Sequence, residues 1–254
     1  MLKPKNIICL RDMKSGELPK EAHTLRVAVS AGEFSGDQHA ARIVRALKNH
    51  LQQTHPGCAV EIKGMGGRCL REEGVDIVID SETSGALSGF NIPLILYKAL
   101  GVFFRFLKLL FHWRPDVLIL IDYPDFNVRL ARFARWLNIP TFYYIPPKMW
   151  AWRGGRVKWF KRAIDRTATI FPFETKFFEQ AGYENSTFVG HPFNEAFASK
   201  PVSADRRDAY VRELDLNPDK PIVAVLAGSR GSELKWHMPI VIQTLDRLHA
   251  KQPD

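Results

Sequence analysis

The sequence predicts an α/β protein built on a parallel, Rossmann-like sheet, and three observations carry the prediction. Short apolar runs bounded by turn residues alternate with helical periodicity along the chain, the pattern of repeated βα units. The run Val117-Leu118-Ile119-Leu120-Ile121 has no polar alternation, as a strand buried on both faces requires. Leu25 to Ala31 passes through Gly32-Glu33-Phe34-Ser35-Gly36-Asp37 straight into a helical pattern at Ala41, Ile43, Val44, Leu47 and Leu51, which opens a Rossmann-like unit.

Whole-chain properties set the frame. A chain of 254 residues can bury a sizeable core and hold one large domain or two smaller ones. Its formal charge of +9 implies attraction to anions, which include nucleic acid, anionic lipid and phosphorylated metabolites. Cys9, Cys58 and Cys69 leave an odd thiol and show no metal or redox spacing, so a reducing compartment is the simpler expectation. Residues 1–23 read as an extension outside the fold, because the apolar run at Ile7 to Leu10 is too short for a signal peptide.

The first turn, residues 32–37, opens a helix whose free N–H groups and partial positive charge suit a phosphate or a sugar hydroxyl. Gly-x-x-x-Gly is not the dinucleotide fingerprint, however, and Glu33 and Asp37 would repel a phosphate, so a tight structural turn fits equally well. Strands follow at Val60 to Lys63 and Val75 to Ile79, with the cluster Gly64-Met65-Gly66-Gly67 between them as a site of close backbone packing.

Residues 92–111 form the most apolar window of the chain. Lys98, Arg105 and Lys108 interrupt it, and Pro93 and Gly101 weaken it, which argues against a span. A basic and very apolar helix suits a membrane interface, with Leu94, Leu96, Phe103 and Phe106 entering the lipid and Arg105 and Lys108 meeting its headgroups. The competing reading is a helix packed on the sheet.

The apolar strand at 117–121 ends in Asp122-Tyr123-Pro124-Asp125-Phe126-Asn127. Ligands in open α/β sheets bind outside the carboxyl ends of strands, so Asp122 is the first catalytic candidate. Asp125 precedes the helical pattern of Val128 to Leu137 and suits a helix cap. The next strand, Thr141 to Ile145, leads into Pro146-Pro147-Lys148-Met149-Trp150-Ala151-Trp152, an aromatic wall on the same edge suited to stacking on a sugar or base. One of the two tryptophans is expected in the core. The stretch from Arg153 through Arg156, Lys158 and Trp159 to Arg162 mixes cations with aromatics, which suits an anionic bilayer, a phosphorylated ligand or, last in order, nucleic acid. Ala168 to Phe171 and Thr187 to Val189 complete the strands, with a helix between them. His191, at a strand's carboxyl end, is the second catalytic candidate, and a structural histidine is its competing reading.

Charged, proline-punctuated residues from Ser199 to Lys220 mark a boundary, giving a first domain at 24–200 and a linker with an incomplete second domain at 201–254. The second begins with a strand at Ile222 to Leu226 and the turn Gly228-Ser229-Arg230-Gly231-Ser232-Glu233, where a guanidinium and two hydroxyls beside a helix N-terminus suit a diphosphate. An Arg230–Glu233 ion pair is the alternative. Pro239 is expected to mark an irregular first turn of the helix that follows.

Six stretches in this order resemble the lipid-A-disaccharide synthase family of Gram-negative glycosyltransferases: Ser30 to Asp37, Pro115 to Asn127, Trp150 to Val157, Phe171 to Glu174, Phe188 to Pro192 and Gly228 to Glu233. The resemblance implies a GT-B architecture of two Rossmann-like domains with the active site between them. It implies transfer of diacylglucosamine from UDP-2,3-diacylglucosamine to 2,3-diacylglucosamine 1-phosphate, giving a β-1,6 disaccharide 1-phosphate and UDP. Asp122 would be the base. Gly32, Glu33, Ser35, Gly36, Asp37, Asp125, Asn127, Trp150, Trp152 and Arg153 would handle the acceptor sugar, and Gly228 to Glu233 the donor diphosphate. The family implies no metal and no cofactor, the UDP-sugar being a substrate. It also implies a peripheral location on the cytoplasmic face of the inner membrane against anionic lipid, no nucleic acid, and a homodimer left open. The chain departs from the family pattern at Pro146, at Lys148 and over Ser88 to Ile92. Another GT-B enzyme using a UDP-sugar, whether a lipid-linked sugar transferase or an epimerase, and a non-catalytic lipid-binding module are the alternatives.

Overall fold

In the computed structural model the described residues are 24–81, 92–151, 154–194, 203–217, 220–228 and 231–251. The side chains of residues 92–98, 204 and 232 lie outside that description. The chain divides into two compact units, residues 1–195 and 196–254.

The first unit holds a seven-stranded sheet in the order β3-β2-β1-β4-β5-β6-β7, parallel at every pairing. The strands are β1 (Thr24–Ala31), β2 (Ala59–Gly66), β3 (Asp76–Asp80), β4 (Val117–Ile121), β5 (Thr141–Tyr144), β6 (Arg166–Thr169) and β7 (Ser186–Phe188). Between them run α1 (Phe34–Thr54), α2 (Arg68–Glu72), α3 (Ile92–Trp113), α4 (Pro124–Trp136), α5 (Val157–Ala163) and α6 (Pro172–Gln180). The expected Rossmann-like architecture is therefore present.

Side chains alternate across each strand, so the sheet feeds two cores. Ala28, Leu118, Leu120 and Tyr143 pack with Phe106 and Leu110 of α3, Leu130 of α4, Phe160 of α5 and Phe178 of α6. Val27, Val29, Ile119 and Ile121 pack on the opposite face with Ala40 and Val44 of α1 and Leu70 of α2. Leu118, Leu120 and Ile121 are wholly excluded from solvent, which is why β4 tolerates no polar alternation. The glycine cluster serves packing, as expected: a Cβ on Gly64 would lie 1.9 Å from the Val29 carbonyl oxygen, so β1 and β2 could not approach as they do.

Strand order advances outward in both directions from β1 and β4. Their shared boundary is the switch point of the sheet, where the two carboxyl ends diverge and leave a crevice.

Three expectations require correction. Phe106 does not face lipid: it is fully buried, because α3 turns that side onto the sheet and onto the Phe126 ring. Phe103 is half-buried against the same ring, 5.5 Å away and perpendicular to it. The open apolar side of α3 is instead Leu100, Phe104 and Phe111, with Arg105 and Lys108 also exposed. Leu94 and Leu96 lie in α3, but their side chains are outside the described ones.

The other two corrections fall in the second unit, where α7 (Ala204–Glu213) and α8 (Gly231–Lys251) are the helices described. No strand forms over 222–226; Val223, Val225 and Leu226 are exposed there. A parallel strand exists only through its neighbours' N–H and C=O groups, and none pairs with this segment among the described residues. Pro239 sits inside α8, past its first turn rather than in it.

Candidate active site

Asp122 follows the last residue of the central strand with φ +46°, and Tyr123 follows it with φ +49°. Two successive left-handed residues turn the chain sharply from β4 into α4, a conformation that aspartate tolerates and tyrosine rarely adopts. The surroundings hold this turn in place. The Asp122 carbonyl accepts the Tyr143 hydroxyl at 2.6 Å and the Asn127 amide at 2.7 Å, and its N–H donates to the Tyr144 carbonyl at 3.2 Å. Burial pushes the Tyr143 hydroxyl well above its usual range, and the Asp122 charge pushes it the same way, so it remains a proton donor.

Asn127 is completely buried and belongs to this framework rather than to a sugar. Its Oδ1 accepts the Ser30 hydroxyl at 2.6 Å, and its Nδ2 also donates to the Ile121 carbonyl at 3.1 Å. One amide thus ties the carboxyl ends of β1 and β4 together across the switch point. Tyr123 completes the seam from the other side. Its ring lies on Gly32, where a Cβ would come within 2.4 Å of it, so the first turn's glycine is demanded by an intramolecular contact. Burial raises the Tyr123 hydroxyl, with the Glu33 charge a smaller cause.

Asp37 also takes a role other than the expected one. It lies in the first turn of α1 at 1% exposure, and its carboxylate accepts the backbone N–H groups of Gly67 at 2.7 Å and Cys69 at 2.8 Å. Those donors begin the short α2, so Asp37 caps that helix from a distance. Gly36 is buried in ordinary contact with Ala31 and Ile121, whereas Ser35 is exposed and Glu33 partly exposed at the crevice.

Asp125 supplies no cap. The N-cap position is Tyr123, with no side-chain bond, and Asp125 sits in the first helical turn, where its charge suits the dipole. It pairs with Arg156 at 3.1 Å.

The aromatic wall is present at Trp150. This ring is 40% exposed, meets Phe173 edge-on at 4.9 Å and donates Nε1–H to Glu174 at 3.1 Å. Glu174, buried at the start of α6, also accepts the N–H groups of Ile170 and Phe171, so it orients the tryptophan while capping its helix. Trp152 and Arg153 lie outside the described residues.

His191 is partly exposed after β7, with its ring 5.6 Å from Phe171, and its Nδ1 accepts the Phe193 N–H at 3.3 Å. That bond places the proton of the neutral ring on Nε2. His39 lies close by on α1. Burial lowers its pKa first, with the charges of Arg42 and His191 adding to the effect, and its Nδ1 is buried without a hydrogen-bond partner among the described residues. Sequence reasoning passed over His39 and Tyr143, since neither stands in a turn or motif.

In the second unit Gly228 has φ +122°, and a Cβ there would lie 2.8 Å from the Glu233 side chain, which folds back over it. Gly231 opens α8 and Glu233 lies in its first turn. Ser229 and Arg230 are outside the described residues, as is the Ser232 side chain. Among the described residues no group of three His, Cys, Asp or Glu side chains has metal-binding geometry, and no helix is long and apolar enough to cross a membrane.

Comparison with known proteins decides the family. The sequence model for lipid-A-disaccharide synthetase matches residues 27–254. The chain belongs to the lipid-A-disaccharide synthase family. Lipid-A-disaccharide synthase 1 of Legionella pneumophila (strain Paris) is 41% identical over 230 residues, which are 90% of this chain and 57% of that protein. The lipid-A-disaccharide synthase of Nitrosococcus oceani is 38% identical over 228 residues, 90% of this chain and 56% of that protein. That of Geobacter sulfurreducens is 37% identical over 230 residues, with 90% and 57% covered. The chain therefore spans between half and two thirds of the length of these relatives.

Proposed function

We propose that this chain supplies the acceptor side of a lipid-A-disaccharide synthase, with Asp122 as the general base. The acceptor is 2,3-diacylglucosamine 1-phosphate, and its 6-hydroxyl oxygen attacks the anomeric carbon of UDP-2,3-diacylglucosamine. The carbon–oxygen bond to UDP breaks, UDP departs with the electron pair, and the hydroxyl proton passes to the Asp122 carboxylate. The observation that supports this reading above the others is the placement of Asp122: a carboxylate after the central strand, at the switch point, with its backbone fixed by Tyr143 and Asn127. Pre-set geometry of that kind is what a base needs in order to meet a hydroxyl without reorganising.

Trp150 offers a sugar-stacking face beside it, and His191, Glu33 and Ser35 line the same carboxyl edge. The donor diphosphate belongs to Gly228 through Glu233, with Arg230 as its anchor, in the GT-B arrangement of the family. No cofactor enters the reaction. Both lipids reside in a bilayer, and α3 offers Leu100, Phe104 and Phe111 to it, flanked by two cations, an exposed face that supports a peripheral location on the cytoplasmic face of the inner membrane.

Asp122→Asn in the full-length protein keeps the backbone bonds and removes the base. Disaccharide formation should fall by about 10²–10⁴-fold, with folding by circular dichroism unchanged. Turnover within a factor of two of the parent would remove Asp122 from the mechanism.

A further inference from the structure

Beside the switch point lies a second concavity, a cleft of about 540 Å³ between α4, α5 and the segment Pro147 to Met149. Its floor is apolar, with Met149 at 5% and Phe160 at 1% exposure. Its rim is cationic: Arg129, Arg132, Lys148 and Arg156 stand against the single carboxylate of Asp125, which Arg156 already engages. Arg129 and Lys148 make no hydrogen bond or ion pair among the described residues. The Arg132 guanidinium lies 5.4 Å from the centroid of the Trp159 ring, which holds it at the mouth of the cleft.

Like charges gathered on one concave surface repel, and the arrangement gains free energy when an anion binds among them. A phosphate monoester, with up to two charges and three acceptor oxygens, matches the forked donors of two arginines and the point charge of a lysine. The apolar floor requires that the anion carry a hydrocarbon part. The cleft also adjoins the base, since Pro124 and Asp125 line it and Asp122 lies two residues before Pro124.

We propose that this cleft is the subsite for the phosphate monoester of the acceptor, with Arg129, Arg132 and Lys148 holding the phosphate. The start of an acyl chain lies on Met149 and Phe160. The assignment rests on the transferase reading, and it adds to that reading the residues that distinguish a phosphorylated acceptor from an unphosphorylated one. A bilayer's anionic headgroups offer related chemistry, so the test separates the two sources.

The test uses the full-length protein with Arg129→Gln and Lys148→Gln, singly and together, since neither side chain has a described partner whose loss would unfold the protein. With 2,3-diacylglucosamine 1-phosphate in neutral detergent micelles, each substitution should raise KM by about tenfold with little change in kcat. The slower reaction with the acceptor lacking its phosphate should not change. An unchanged KM, or an equal loss on both acceptors, overturns the assignment. If the unsubstituted enzyme transfers to neither acceptor, the transferase reading fails and titration calorimetry with glucosamine 1-phosphate decides the cleft. Binding that Arg129→Gln abolishes upholds a phosphate site, and binding indifferent to the substitution ends it. Sedimentation with phosphatidylcholine vesicles, with and without phosphatidylglycerol, tests the other source. A variant that loses the anionic vesicles while keeping its KM assigns the cleft to headgroups and overturns the acceptor subsite.

Discussion

A carboxylate at the end of a strand acquires a function only when its backbone cannot wander. Asp122 is held by Tyr143 from β5 and by Asn127 from α4, and Asn127 is itself held by Ser30 from β1. Asn127→Ala removes the one side chain among the described residues that bonds to both strand ends, and leaves the buried Ser30 hydroxyl and the carbonyl groups of Ser30, Ile121 and Asp122 with one partner fewer. It should cost about 2–4 kcal/mol of stability in a denaturant titration. It should also lower kcat at temperatures where the variant remains folded, because the left-handed turn at Asp122 and Tyr123 loses its brace. A variant as stable and as active as the parent would show that the turn holds itself. The place of Asp122 could be read from the sequence, because a fully apolar run marks both a central strand and its end. The role of Asp37 could not. Periodicity assigns it to a helix's first turn, but its N–H partners come from Gly67 and Cys69, thirty residues along the chain, and no local pattern announces them. Asn127 makes the same point: it is fully buried and bonded within the framework, and burial, not residue type, separates a ligand contact from an internal staple.

At the scale of the element, α3 shows where hydrophobic patterning loses its power. A helix apolar on nearly every side gives no sign of which side meets the sheet, so Phe103 and Phe106 were expected in lipid. The fold divides the rings otherwise: Phe106 is buried, Phe103 rests on Phe126, and Phe104 stands 63% exposed. The division yields opposite expectations for neighbouring residues. Phe106→Ala opens a cavity in the larger core and should destabilise the protein by about 3–5 kcal/mol, read as a lowered denaturation midpoint. Phe104→Glu should leave that midpoint within about 0.5 kcal/mol of the parent. It should also weaken co-sedimentation with anionic vesicles severalfold, since it sets a charge on the face proposed to enter lipid. Equal vesicle binding by parent and Phe104→Glu would leave α3 as a sheet-packing helix alone.

For the whole molecule, the contrast between the two units tests how a strand comes to exist. Ile222 to Leu226 has the composition of a buried strand and the glycine turn and helix that should follow one, yet its residues pair with no strand among the described residues and Leu226 is 94% exposed. Val117 to Ile121 is likewise wholly apolar, and it forms the centre of a seven-stranded sheet because β1 and β5 lie on either side. Apolar sequence is thus necessary for a parallel strand and insufficient for it, since the ladder's donors and acceptors come from elsewhere in the chain. Hydrogen exchange read residue by residue measures the difference directly. Amides of β4 are buried and bonded on both edges, so they should exchange only when the first unit opens as a whole. Amides of residues 222–226, exposed and without ladder bonds, should exchange at close to the rate of an unstructured peptide under the same conditions. Protection at 222–226 comparable with that of β4 would mean that the segment had found neighbours, and the second unit would then hold a sheet of its own. Fast exchange there beside slow exchange in β4 would locate the stability of this chain in the sheet that carries Asp122.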